Sequence, residues 1–218
     1  MPTIKNIDLT WFKHDTFRLV ADEKVIWTDP YKIKERKKAD IILVSHAHHD
    51  HCDVDSLKKL CTDDTTLITT PLAKEKVDAL PGKKKYLEPG KEITVDGVKV
   101  KAVHAYNVNK FRSPGTPFHP KGKNLGFIFE VHDTRVYFAG DTDPIKEMED
   151  FGPIDVALIP ISGTYVANVD EAVEIVKKIR PDVVVPMHVG RGIGSLDDRT
   201  EFKKKVGSLA KVKLLKST

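Results

Sequence analysis

The most constraining feature of this 218-residue chain is the run Asp40-Ile41-Ile42-Leu43-Val44-Ser45, which opens directly onto His46-Ala47-His48-His49-Asp50-His51. Four consecutive aliphatic residues suit a strand that is covered on both faces, as in a parallel or mixed sheet flanked by other layers. The polar tract must then sit at the end of that strand, where the interior gives way to a site. A chain of this length can bury such a sheet within one core.

The rest of the pattern supplies the layers. Strand patterns at 7–12, 16–20 and 24–28 predict a meander that closes at Asp29-Pro30. After the 40–45 strand, a helix is expected with Asp53 or Asp55 near its cap, then a strand at 65–69 and a helix at about 72–79 capped by Thr70 and Pro71. A second strand-rich stretch covers 84–87, 91–95, 97–103, 124–131 and 134–139, with His132-Asp133 as a tight hairpin turn. Strand 154–159, helix 168–179, strand 182–186, helix 197–207 and strand 211–215 complete the chain. Residues 105–123 form the one long irregular segment, and loops of that length are often functional. Two successive series of strands followed by strand–helix units predict an α/β fold: a four-layer α/β/β/α sandwich of two facing mixed sheets. It is read as a single domain, 1–218, with two αβ halves of about 1–105 and 106–218.

Composition narrows the setting. Apolar residues make up 40% and charged residues 31%, which describes a folded chain. No apolar run is long enough to span a bilayer. No signal-peptide core is visible, and Cys52 and Cys61 are too few for a disulfide framework, so the expected compartment is the cytoplasm. Lysine-rich stretches at 32–38, 83–85 and 203–205 give a formal charge of +4, but they are scattered among nearly as many acids and read as solvated faces.

The chemistry lies in the histidines. His46 and His48 can point at one metal ion, while Asp50 and His51 turn onto a neighbouring one. Imidazole nitrogen and carboxylate oxygen suit Zn²⁺ first, with Mn²⁺ or Fe²⁺ as alternatives. His49 alternates away and is left out, and Cys52 is read as a free thiol beside the site. His104, Asp141 and His188 are further ligand types, each at the end of a separate strand pattern, and Gly140 permits close backbone approach beside Asp141. Asp29 is a candidate for orienting a histidine from behind.

This set resembles the metallo-β-lactamase superfamily, whose motifs run HxHxDH, then a His, a bridging Asp and a final His. The resemblance implies His46, His48 and His104 around a first metal, Asp50, His51 and His188 around a second, and Asp141 bridging. A closer likeness is to the ascorbate-6-phosphate-lactonase-like branch of metal-dependent hydrolases. It is carried by Trp11-Phe12-Lys13-His14, the Asp29-Pro30 turn, His104-Ala105-Tyr106-Asn107, His119-Pro120-Lys121-Gly122, Gly140-Asp141-Thr142-Asp143, Pro160-Ile161-Ser162-Gly163-Thr164-Tyr165 and Pro186-Met187-His188. Lys13 stands where a small residue is common in that branch.

The implied activity is hydrolysis of a small ester, lactone or phosphoester by a hydroxide held between two divalent metal ions. Asp50, His14 and His119 are the candidate catalytic residues, and Tyr106, Asn107, Lys121, Thr164 and Tyr165 the candidate substrate contacts. The Gly190–Ser195 stretch after His188 is read as a flexible connector. The expected partner is a polar or anionic small molecule, with neither membrane nor nucleic acid, and a homo-oligomer is compatible with the sequence. Three other readings share the ligand set: a metal-dependent nuclease or phosphodiesterase, a flavo-di-iron-like redox site, and a non-catalytic, metal-stabilised binding protein. An RNA assay, iron content and a substrate panel separate them.

Overall fold

The computed structural model describes residues 3–34 and 38–218. Residues 35–37 of the first lysine-rich stretch lie outside the described residues, as do residues 1–2. In the first sheet β1 (Thr3–Ile4), β2 (Ile7–Trp11), β3 (Phe17–Ala21), β4 (Lys24–Thr28), β5 (Ile41–Leu43), β6 (Thr66–Thr69) and β7 (Lys83–Tyr86) lie side by side in chain order. The second sheet contains β8 (Glu92–Val95) and β9 (Val98–Ala105). After a separate hairpin, β10 (Phe111–Ser113) and β11 (Thr116–Pro117), it continues with β12 (Asn124–Val131), β13 (Thr134–Phe138), β14 (Val156–Pro160), β15 (Val183–Met187) and β16 (Lys211–Val212). Its spatial order is β16-β15-β14-β13-β12-β9-β8.

Both sheets follow one rule. Each begins antiparallel, β1 to β4 and β8 to β13, and ends parallel, β4 to β7 and β13 to β16. Tight turns are enough for the antiparallel part. Asp22-Glu23 and His132-Asp133 have φ of 46° and 63°, and 46° and 55°, the left-handed pair that suits two-residue hairpins. Parallel neighbours need crossovers. Four of the six crossovers carry α1 (Val54–Leu60) after β5, α2 (Lys74–Val77) after β6, α3 (Val169–Ile179) after β14 and α4 (Asp198–Val206) after β15, and the one after β13 carries a 3₁₀ helix, Lys146–Asp150. The start of α3 is fixed by a reciprocal cap, in which Asn168 Oδ1 accepts from Glu171 N at 2.9 Å and Glu171 Oε2 accepts from Asn168 N at 2.8 Å.

β5 shows why the 40–45 run is apolar throughout. Ile41 and Leu43 pack into the core shared with the second sheet, alongside Val100, Phe127 and Leu158. Ile42 and Val44, on the opposite face, pack with Leu57, Leu60, Leu67 and Val77 from the helical side. The period-two alternation divides one strand between two cores. The outcome is the expected pair of facing mixed sheets with outer helices. The chain leaves the first sheet between residues 87 and 91, earlier than the 105/106 division expected, because β8 pairs with β9 and β9 with β12, and neither pairs with β7. The β10–β11 hairpin lies within the stretch read as irregular, and the helix expected at 72–79 is a 3₁₀ turn, Pro71–Ala73, followed by the single-turn α2.

Candidate metal centre

The candidate residues converge at the carboxyl ends of the parallel strands and on the loops beside them, where open α/β sheets place their sites. The chain continues from β5 through Val44 and Ser45 to His46. Asp29 follows β4, Gly140-Asp141 closely follows β13, and His188 follows β15. The β2–β3 turn adds His14 and Asp15, and the loop after β11 adds His119. Gly140 is required where it stands. Its φ is +58°, and a Cβ there would lie 2.7 Å from Leu125 O and 2.9 Å from Ser45 Cβ.

Asp141 is the centre of the arrangement, buried at 3% exposure. Its Oδ2 lies 3.1 Å from His119 Nε2 and 3.8 Å from His46 Nε2, and His46 Nε2 is 2.9 Å from His48 Nδ1. Its Oδ1 lies 3.3 Å from His188 Nε2 and 3.4 Å from His51 Nε2. Asp50 Oδ2 is 3.8 Å from His51 Nε2 and 3.4 Å from His14 Nε2. One carboxylate thus turns its two oxygens toward two separate donor sets.

The outer partners determine which nitrogens are free. His51 Nδ1 lies 2.7 Å from Asp29 Oδ2, His119 Nδ1 2.9 Å from Asn107 Oδ1, and His188 Nδ1 2.9 Å from Ser162 Oγ. Ser45 Oγ donates to Asp29 Oδ2 at 2.5 Å and so accepts from His46 Nδ1 at 2.9 Å. With Nδ1 engaged in each case, the Nε2 lone pair remains for a ligand, the usual outer support of a metal-binding histidine. Burial lowers His46 and His48, and brings His14 down to about 4, so these rings are neutral and able to ligate. Burial would raise Asp50, but contacts with His14 and His51 outweigh it and hold its carboxyl low.

Several buried polar atoms here have no hydrogen-bond partner among the described residues: both nitrogens of His14, both oxygens of Asp15, His51 Nε2, His119 Nε2 and Asp141 Oδ1. Buried polar groups are ordinarily satisfied, and a cluster of donor atoms left open toward one another fits divalent cations. Ligand atoms of His46, His48 and His119 lie within 4.8 Å of one another, as do those of His14, Asp15, His51 and His188.

Of the expected ligands, Asp50 and Asp141 border these groups, within 3.8 Å of their histidines, whereas His104 lies apart from both. Alternation along β9 and beyond puts His104 and Tyr106 on one face, their rings edge-to-face with centroids 6.2 Å apart, beside Glu147 and Lys121. Asn107, on the other face, reaches His119, and His119 occupies the place expected of His104. The signal available in the sequence was the irregular segment itself, which must turn back toward the strand ends.

The expected substrate contacts divide. Thr164 and Tyr165 line a cleft of about 460 Å³ over the donor sets, together with His14, His48, Asp50 and His119. Asn107 is buried, accepting from His119 N and donating to Tyr165 O, each at 2.9 Å, so it positions the histidine rather than facing the cleft. Tyr106 and Lys121 lie outside it. Both hydrogen-bond Glu147, and although burial would raise that carboxyl, these bonds hold it down at about 2. Residues not anticipated also line the cleft: Tyr31, His49, Arg112, Phe118 and Arg191. Arg191 comes from the glycine-rich connector, and its guanidinium is 3.0 Å from Phe12 O and stacked over Tyr31.

A family model described as the β-lactamase superfamily domain matches residues 8–188. The chain belongs to that superfamily. Among its relatives in this superfamily, a UPF0173 metal-dependent hydrolase from Pyrococcus furiosus is 34% identical, covering 96% of each chain. Another, from Thermoplasma acidophilum, is 32% identical over 85% of this chain and 84% of its own. A crystal structure from Parabacteroides distasonis superposes with a TM-score of 0.83 at 29% identity, covering 97% of this chain and 94% of that one. Igni18, a metallo hydrolase from Ignicoccus hospitalis, gives 0.77 at 26% identity over 96% and 95%. Among the described residues, no helix is long and apolar enough to cross a membrane.

Proposed function

We propose that this chain is a metal-dependent hydrolase that cleaves a small anionic ester, lactone or phosphoester, with two divalent cations as cofactors. His46, His48 and His119 would hold one cation and Asp50, His51 and His188 the other, with Asp141 between them. The observation that carries this reading is the division of Asp141, whose Oδ2 faces His119 Nε2 and whose Oδ1 faces His51 and His188 Nε2 beneath a cleft, with His119 Nε2, His51 Nε2 and Asp141 Oδ1 left without hydrogen-bond partners among the described residues. Bound there, Zn²⁺, Mn²⁺ or Fe²⁺ would supply Lewis acidity and water activation at neutral pH.

The protein's own groups do the rest. The cleft has the size of small-ligand sites, about 300–1,000 Å³. Tyr31, Phe118 and Tyr165 give it aromatic walls, while Arg112 and Arg191 place positive charge at its rim and favour a substrate carrying carboxylate or phosphate. Asp50 also borders the cleft, and its carboxyl is the group placed to accept a proton as the reaction completes. The likeness to the lactonase branch adds lactones to the candidates.

The test is turnover of a panel of p-nitrophenyl esters, lactones, phosphomonoesters and phosphodiesters by protein loaded with Mn²⁺ or Zn²⁺, with a labelled RNA arm. Turnover should require the cation and cease with chelator. Arg112→Ala should raise KM about tenfold at unchanged kcat, as for loss of uniform binding. A protein carrying two cations but inert across the panel would sink the hydrolase reading in favour of a metal-stabilised binding protein. Cleavage of RNA alone would favour a nuclease.

A further inference from the structure

We infer that His14 is a ligand of the second cation, completing a five-donor set with Asp50, His51, His188 and Asp141, and that Asp15 holds it in place from behind. This rests on the two-cation reading and adds to it a residue that the HxHxDH pattern does not contain. His14 is 1% exposed, and neither ring nitrogen has a hydrogen-bond partner among the described residues. A neutral imidazole buried without partners costs free energy unless something occupies the space it faces.

The distances describe that space. His14 Nε2 to Asp50 Oδ2 is 3.4 Å, Asp50 Oδ2 to His51 Nε2 is 3.8 Å, His51 Nε2 to Asp141 Oδ1 is 3.4 Å, and Asp141 Oδ1 to His188 Nε2 is 3.3 Å. Donors about 2.1 Å from one ion stand roughly 3.0 Å apart at right angles and about 3.4 Å apart at tetrahedral angles. Three of the four separations match a tetrahedral edge and the Asp50–His51 one is longer, and all four are too long to be hydrogen bonds of normal strength. The rings of His14 and His188 stand 4.5 Å apart, centroid to centroid.

The backbone supports the same assignment. Lys13, His14 and His188 have φ of 71°, 53° and 57°, a region that costs a non-glycine residue energy. The two histidine turns are clasped together: His14 N donates to Val189 O at 3.1 Å and His188 N to His14 O at 3.3 Å. Trp11 Nε1 donates to His14 O at 2.9 Å. These bonds hold His14 in a conformation that keeps its ring among the donors at the floor of the cleft.

Asp15 is the second half of the argument. It is fully buried with neither oxygen bonded, and its oxygens lie 3.9 Å from His14 Nδ1 and 3.8 Å from His51 Nδ1, on the sides of those rings away from the cation. An unpaired carboxylate in the interior is strongly unfavourable. Asp15, Asp29, Asp50 and Asp141 are the carboxyl groups gathered around the two donor sets, a concentration of acid that suits divalent cations. Five nitrogen and oxygen donors suit Mn²⁺ or Fe²⁺ better than the four-coordinate geometry that zinc favours, so Mn²⁺ is the appropriate probe.

The experiment has two arms. The first is a crystal structure of the wild-type protein saturated with Mn²⁺, located by anomalous scattering. The expected result is a second Mn²⁺ about 2.0–2.3 Å from His14 Nε2. A second Mn²⁺ held by Asp50, His51 and His188 but more than about 3 Å from His14 overturns the inference and leaves the two-cation reading intact. Absence of any second Mn²⁺ overturns both. The second arm is calorimetric titration of metal-free wild type and His14→Ala with Mn²⁺. Affinity for one of the two ions should fall more than about tenfold while the other is unchanged, and equal affinities for both would overturn the inference. The first arm uses no variant and decides the matter even if His14→Ala does not fold.

Discussion

The two donor sets use the same residue types in different surroundings. In the first, His48 is exposed at the cleft and His119 hangs from a loop held by Asn107. In the second, His14, Asp15, His51 and His188 are all buried, and two of them sit on turns that clasp each other across the sheets. One of those turns joins β2 to β3 in the first sheet, and the other follows β15 in the second. A cation held by the first set would face whatever enters the cleft. One held by the second would also tie together the two halves of the fold beside the buried Asp15. Loss of the first should therefore be felt mainly as activity, and loss of the second as stability.

The largest effect should come from removing both ions. A ligand that binds only the folded chain and is present at about 1,000 times its Kd stabilises it by roughly 4 kcal/mol. For a domain of this size that corresponds to a fall in Tm of roughly 8–16 °C after chelation, read by differential scanning calorimetry. An unchanged Tm would break the comparison, since neither set would then be coupled to folding. A pair of variants sharpens it. His48→Ala should lower kcat/KM by at least about 100-fold with a shift in Tm of a few degrees at most. His188→Ala should lower both, and the metal-loaded protein should lose most of its stabilisation by cation. Equal Tm shifts in the two variants would show that burial does not separate the sets.

The fold was largely legible because its signals are local. The aliphatic run at 41–44, the turn chemistry of His132-Asp133 and the Asn168–Glu171 cap each specify their element without help from elsewhere. The HxHxDH tract was legible for the same reason, since five of its six positions are potential ligands within one turn of chain. What was not legible depends on distant packing. His104 and His119 are both histidines near a strand end, and only the alternation of β9 against β12, followed by the return of the loop to Asn107, decides which one meets Asp141. Asp15 looked like an ordinary turn residue, because nothing in its neighbours reveals that the turn is enclosed by His51 and His188. Arg112 and Arg191 lie on the hairpin and the glycine-rich connector, where exposed and cleft-lining arginines look alike in sequence.

Asn107→Ala tests how far the first set depends on its loop. Asn107 Oδ1 accepts from both the backbone N and Nδ1 of His119, so its loss frees the ring to rotate while leaving every ligand present. The expected cost is about 10–100-fold in affinity for one cation, with the other and the Tm nearly unchanged, measured by Mn²⁺ titration and calorimetry. Equal weakening of both ions would mean that the sets are not independent.

The smallest effect should come from His104→Ala, and it bears directly on which histidine belongs to the site. His104 is partly exposed, and its neighbours are Tyr106, Glu147 and Lys121 rather than Asp141. Its Nδ1 has no hydrogen-bond partner among the described residues, but the ring is not enclosed by other ligands as His119 is. Truncating it should change stability by no more than about 1 kcal/mol, in the range of substitutions that create neither a large cavity nor an unpaired buried charge. Two cations per chain should remain by elemental analysis, with turnover within about twofold of wild type, whereas His119→Ala should retain only one tightly bound ion. If His104→Ala lost a cation and His119→Ala did not, the alternation of β9 would have been misassigned by one residue, and the first donor set would have to be rebuilt on the opposite face of that strand.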